Sequence, residues 1–215
     1  MDKLNINQVK DMILFMAQEI IDNKSYLTEV DLKIGDGDHG IGMETGFLNV
    51  KKVIEPKQYA SVNQLFKEIG MAMLNSMGGA SGVIFSSIFL GAKKDTGKED
   101  ELTAEEFTEM MEKSLKMIKQ RGKAELGDKT MVDAFEPAIC AMSEYVVGKK
   151  DFGGMLSVAE IAAEQGMHAT KNYVAKFGRA KSLMERSIGY QDAGATSVYL
   201  MFRAMRKWLE KQKGA

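Results

Sequence analysis

The run Asp31-Leu-Lys-Ile-Gly-Asp-Gly-Asp-His-Gly40 sets three carboxylates, Asp31, Asp36 and Asp38, among glycines 35, 37 and 40. Carboxylates are hard oxygen ligands. Magnesium takes a few of them and completes its shell with water and phosphate oxygens. The glycines allow positive φ and a close approach of backbone to ligand. Metal-bridged phosphate is the chemistry this spacing suits. The spacing Gly35-x-Gly37-x-x-Gly40 also fits a dinucleotide fingerprint, but two aspartates inside the loop would repel a bare pyrophosphate, and no convincing strand precedes it. An EF-hand fails, because Phe47 stands where its closing Glu is needed. A solvated Asp/Gly turn is the plain alternative.

Three further runs carry polar chemistry. Met77-Gly-Gly-Ala-Ser-Gly-Val83 is a glycine-rich turn opening onto an apolar helix, so it offers free N–H groups and the positive end of a helix dipole to a phosphate. A close helix contact through small residues would explain it equally well. In Arg121-Gly-Lys-Ala-Glu-Leu-Gly-Asp-Lys-Thr-Met131, Lys129 and Thr130 could neutralise and bond a phosphate and Gly122 could pack against a base. In isolation this run reads as a charged surface loop capped by Asp128. Finally, Arg179 and Arg186 could clamp phosphates in the segment from Gly178 to Gly194. Asp192 there could accept from a ribose or simply cap the helix that follows. No Walker A pattern is present: Gly91-Ala-Lys-Lys-Asp-Thr-Gly-Lys98 has the wrong spacing and no Ser/Thr after its Lys. His168 reads as an ordinary helix histidine, and Cys140 as a small core residue.

The elements that position these runs are helical. Seventeen methionines against two prolines, with little β alternation, favour helix throughout. Val9, Met12, Ile13, Met16 and Ile20 form one buried face, and Val198, Met201, Phe202, Met205 and Leu209 another. Thr103-Ala-Glu-Glu106 is a capping box, and Ser61-Val-Asn-Gln64 and Ser157-Val-Ala-Glu160 look like further helix starts. The periodicity predicts helices over roughly 6–23, 25–31, 40–54, 62–76, 81–94, 104–121, 130–147, 155–172 and 194–212, with 25–31 the weakest. Pro137 should kink its helix or mark a later start. Residues 95–103 read as a polar, mobile loop. The expectation is one all-α domain over residues 1–215. If neighbouring helices are antiparallel, alternate loops fall at one end and the glycine-rich runs meet there.

Composition narrows the function classes. Twenty-nine basic residues balance thirty acidic ones, which argues against a broad surface for nucleic acid or anionic membrane. A single cysteine excludes an intrachain disulfide and suits a reducing, cytoplasmic compartment. The N-terminus lacks a signal-peptide pattern, and no apolar run approaches the roughly 18 residues that span a bilayer.

Taken in order, Asp31 with GDGDHG, then GGASG, RGKAELGDKTM and GRA…ERSIGYQDAGATS resemble the nucleotide-binding L subunits of dihydroxyacetone kinases, from about residue 20 to residue 205. That resemblance implies about eight antiparallel amphipathic helices forming a barrel, with ADP or ATP at one open end. It implies two Mg²⁺ ions held by Asp31, Asp36 and Asp38. It places His39, Gly40, Ile41 and Gly42 along the nucleotide, and Ala80 and Ser81 at its phosphates. Gly122 and Met131 lie near the base, and Arg179, Asp192, Ala193 and Gly194 complete the pocket. It assigns no catalytic residue with certainty. The partners it implies are a K subunit holding dihydroxyacetone and a phosphoryl-donor M subunit of the phosphotransferase system. A free-standing chain of this kind resembles the phosphoenolpyruvate-dependent form. A kinase subunit for another short ketose or a fatty acid, a sensor read by a transcription regulator, and a homodimer stay open.

Overall fold

Asn5 opens the first helix through a reciprocal cap: its side chain accepts from the Gln8 N–H, and the Gln8 side chain accepts from the Asn5 N–H. Thr103 and Glu106 do the same for a later helix, as the capping pattern predicts. The computed structural model describes residues 1–213. In chain order their helices are α1 (Ile6–Asp22), α2 (Lys24–Asp31), α3 (His39–Ile54), α4 (Val62–Ser76), α5 (Gly79–Gly91), α6 (Ala104–Gly122), α7 (Val132–Val146), α8 (Phe152–Ala169) and α9 (Ala193–Lys213). Short 3₁₀ turns cover Thr170–Asn172 and Arg179–Ser187.

The helices pack in a closed circuit. α1 lies against α3, each helix from α3 onward lies against the next, and α9 returns to α1. α2 sits across α3 and α9. Apolar stripes face the middle, where Phe66 meets Phe89, Phe107 meets Phe152 and Phe135 meets Phe202 at ring separations of 6.0–6.1 Å. A small cavity of about 20 Å³ remains among them, lined by apolar side chains and sharing no residue with the four polar runs. The α1–α9 seam is fastened by the Trp208 indole N–H donating to Asp11 at 2.8 Å and by Lys207 pairing with Glu19 at 3.0 Å.

With antiparallel neighbours, the connections 32–38, 77–78, 123–131 and 170–192 fall at one end of the circuit. Residues 55–61, 92–103 and 147–151 fall at the other. That second end is tied together by main chain: the Val62 N–H donates to Glu99 at 2.8 Å and the Phe152 N–H to Met1 at 2.9 Å.

Several expectations need correction. Two three-residue strands, β1 (Lys3–Asn5) and β2 (Glu101–Thr103), pair antiparallel. They are too short to show alternation in sequence. The segment 95–103 is held from within: the buried Lys94 ammonium donates to the carbonyls of Lys98 and Glu101 and pairs with Glu106 at 3.0 Å. Ser157 is not a helix start. Asp151 caps α8 by accepting from the Gly154 N–H, and the Ser157 hydroxyl donates to the Gly153 carbonyl inside the helix. α7 continues through Pro137 as one helix, so the proline does not mark its start. Cys140 is exposed rather than part of the core, because the buried face of α7 runs through Phe135, Ala138, Ile139 and Met142.

Candidate functional site

α2 ends at Asp31 in a tight turn, with the Ile34 and Gly35 N–H groups donating to its carbonyl at 3.1 and 2.6 Å. Gly35 leaves room for the Asp31 carboxylate, since a Cβ there would sit 2.2 Å from its Oδ1. Gly37 holds φ +79°, the left-handed region that favours glycine. The turn delivers one oxygen each from Asp31, Asp36 and Asp38 to within 4.8 Å of one another. Asp31 is half-buried, and Asp36 and Asp38 are exposed. Burial, the neighbouring charges of Asp36 and Asp31, and hydrogen bonding raise the Asp38 carboxyl above its ordinary range. Burial acts on Asp36 in the same direction, but the Arg179 guanidinium, 2.8 Å away, brings it net below. Three crowded carboxylates with open faces form a hard-oxygen set that suits a divalent cation and relieves their repulsion.

α3 starts at His39. Its N–H donates to Asp31 Oδ2 at 3.3 Å, and its buried ring lies 5.7 Å from Phe85 of α5. Burial drives the imidazole down to about 4, so it is neutral at pH 7. Met77, before α5, packs over Gly42 and Gly46 of α3; a Cβ on Gly46 would meet its sulfur at 2.6 Å. The start of α5 is thereby set beside the carboxylate turn. Gly78 provides no side-chain cap, Gly79 has φ +68°, and Ala80 and Ser81 are exposed. Uncapped N–H groups at such a start suit a phosphate.

The other two runs close onto these. Gly122 ends α6, and a Cβ there would lie 3.0 Å from Ile84 of α5. Arg121 donates to the Ser87 hydroxyl at 3.0 Å. Met131 immediately precedes α7 and is buried, and a Cβ on Gly194 would meet it at 3.3 Å. The Asp192 side chain accepts from the Ala195 N–H at 2.7 Å, so it caps α9 while lying beside the candidate site. Ile41 is exposed one turn into α3, and Gly40 packs against α2, where a Cβ would meet the Lys24 carbonyl at 2.4 Å. Arg179 joins the site through Asp36; Arg186 is exposed, with no ion pair among the described residues.

Lys129 fits neither the solvated surface loop that the run suggests nor the alternative phosphate role. It is 2% exposed, and its ammonium donates to the carbonyls of Thr170, at 2.5 Å, and Tyr190. It ties the α6–α7 connection to the α8–α9 connection instead of facing ligand. Thr130 accepts from the Val132 N–H through its hydroxyl, a local turn role. Asp133, Thr170 and Ser197 have no role assigned by the sequence, although Ser197 closes the run GYQDAGATS, yet they shape the site. Asp133 accepts from the N–H groups of Gly127 and Thr130 at 2.6 and 2.7 Å. The Thr170 hydroxyl accepts from the Asp192 N–H at 2.9 Å. An Asp three residues after Thr130 was the available signal for the first.

Burial pushes the Asp192 carboxyl up to about 7 from 3.8. Between those values the folded chain keeps a proton that the unfolded chain has released. Stability should therefore fall as pH rises through that window, by up to about 1.4 kcal/mol per pH unit. Asp192→Asn is expected to flatten this slope in thermal melts from pH 4 to pH 8 without magnesium, since Asn keeps an oxygen for the Ala195 N–H.

The fold is thus a closed circuit of helices that carries, at one end, a carboxylate turn with the oxygen donors a divalent cation takes and an uncapped glycine-rich helix start. The model of the DAK2 domain family matches residues 33–207, and the chain belongs to that family. It is 37% identical over 189 residues to the ADP-binding subunit DhaL of PEP-dependent dihydroxyacetone kinase 1 of Listeria innocua, covering 88% of this chain and 89% of the relative. It is 38% identical over 180 residues to the corresponding ADP-binding subunit DhaL of Escherichia coli, covering 84% and 86%. The crystal structure of the dihydroxyacetone kinase of C. freundii matches at TM-score 0.73 and 25% identity, over 93% of this chain. This chain spans 34% of that kinase, which has also been solved with AMP-PNP and Mg²⁺.

Proposed function

We propose that residues 1–215 form one nucleotide-carrying domain of a dihydroxyacetone kinase. In this reading it passes a phosphoryl group from magnesium-bound ATP to dihydroxyacetone held on a separate K subunit. A phosphotransferase-system M protein then recharges the ADP in place. The observation that carries the reading is the carboxylate trio, with its ligand oxygens within 4.8 Å, beside the uncapped start of α5. The names of the relatives support the nucleotide and the division into subunits. Asp31, Asp36 and Asp38 would hold two Mg²⁺ ions, which neutralise phosphate charge during transfer. Backbone from His39 to Gly42, with Ala80 and Ser81, would receive the phosphates. Gly122 and Met131 would flank the base, and Arg179 with the Asp192–Gly194 turn would close the pocket. The chain's own part is positioning and charge balance, which is most of what phosphoryl transfer asks of a protein.

No helix among the described residues is long and apolar enough to cross a membrane, which accords with a partner-dependent enzyme working in the cytoplasm. Native mass spectrometry of the purified chain should show one ADP and two magnesium ions retained together, and calorimetry should show ADP binding that needs magnesium. A chain that binds ADP at no magnesium concentration would overturn the reading.

A further inference from the structure

The His39 ring reaches α9, where Nε2 is 2.8 Å from the Ser197 hydroxyl. Ser197 is fully buried. At its other end, His39 is joined by its own N–H to Asp31 Oδ2, and its ring rests near Phe85 of α5. One residue therefore touches the carboxylate turn, α5 and the α9 helix that follows the turn Asp192-Ala193-Gly194. These segments lie far apart in the chain; His39 and Ser197 are separated by 158 positions.

We infer that Ser197, acting through His39, is a positioning residue that keeps the carboxylate turn in register with the Asp192–Gly194 turn. The Ser197 bond fixes the ring on α9, and the ring fixes the first turn of α3, whose His39 N–H holds Asp31. Removing the Ser197 hydroxyl leaves a buried ring nitrogen without its partner, and the first turn of α3 is no longer held to α9. The loss should appear where metal and nucleotide must be gripped together. Ser197 takes no direct part in binding in this account, and the inference rests on the nucleotide-carrying function proposed above.

The test is the magnesium enhancement of ADP affinity, the ratio of Kd without magnesium to Kd with it, measured by calorimetry on the full chain well below its melting temperature. Ser197→Ala should lower that ratio by about 3- to 10-fold, the scale of one lost hydrogen bond. Ser197→Thr, which keeps the hydroxyl, should restore most of it. The ¹⁵N imidazole spectrum should change at His39 and not at His168. A ratio within twofold of wild type, with the His39 resonance shifted, would show that the hydrogen bond exists but serves folding alone, and would overturn the inference. Should Ser197→Ala fail to fold, His39→Gln gives the same reading, with the same fall expected and an unchanged ratio counting against. Wild-type chain with no magnesium enhancement at all would instead remove the underlying functional reading.

Discussion

A chain carrying both Asp36→Ala and Asp38→Ala should lose magnesium-dependent ADP binding by at least about 100-fold, while its far-ultraviolet circular dichroism stays that of the wild type. Both side chains are exposed, in a turn outside every helix core, so truncation removes ligand oxygens and little packing. Asp36 also loses its ion pair with Arg179, but Arg179 is 77% exposed and such pairs contribute little to stability. Acidification should reproduce the loss in graded form, because a ligating carboxylate must be ionised. The Asp38 carboxyl is raised and the Asp36 carboxyl lowered, so Asp38 takes up its proton first as pH falls. Calorimetric titration at a series of pH values, beside the dichroism spectrum, checks both statements. Undiminished ADP binding by the double variant would remove the metal assignment.

Gly166→Ala should cost about 2–4 kcal/mol and lower the melting temperature by roughly 6–12 °C. A Cβ at Gly166 would sit 2.0 Å from the Asp133 carbonyl oxygen and 3.0 Å from the Ala134 Cα. That carbonyl is the one whose helical donor Pro137 removes, since proline has no N–H to offer four residues on. α8 therefore lies close against α7 where α7 lacks a bond, and a side chain at 166 does not fit. The added methyl meets backbone, which cannot rotate away. It would also displace Asp133, whose carboxylate holds Gly127 and Thr130, so ADP affinity should fall with stability. Gly148→Ala is the control, because a Cβ there meets nothing within 4 Å; its melting temperature should stay within about 2 °C of wild type.

What was legible in the sequence followed local rules. The α1 stripe and the Thr103 capping box depend on residues three or four apart, and both formed as read. Ser157 misled because its pattern is right while a better cap, Asp151, lies six residues earlier, ahead of two glycines that weaken the helical signal. Cys140 was recoverable: a helical wheel through Phe135, Ala138, Ile139 and Met142 points it outward. The four runs could be named as chemistry-bearing from composition. Their meeting follows from sequence only once neighbouring helices are taken as antiparallel, because it depends on which loops share an end of the circuit. Lys129 shows this limit most clearly. A lysine in a charged loop reads as solvated, and nothing near it announces that carbonyls 41 and 61 positions away take its ammonium. Ser197 was overlooked for the same reason, its partner lying 158 positions back.

The return of α9 to α1 also governs when the circuit closes during synthesis. The apolar face of α1, with Val9, Met12 and Met16 fully buried in the fold, leaves the ribosome before α9 and waits for that helix for much of its covering. The seam contacts Asp11–Trp208, Glu19–Lys207 and Phe15–Lys211 are among the last long-range pairings to form. Such late closure slows folding and leaves early helices open to wrong association. It also withholds competence: Asp31 to Asp38 are made early, yet their counterpart turn at Asp192–Gly194 arrives with the segment that shuts the ring. A nascent or C-terminally shortened chain would thus carry the acidic turn without the grip, so unfinished molecules would not sequester nucleotide.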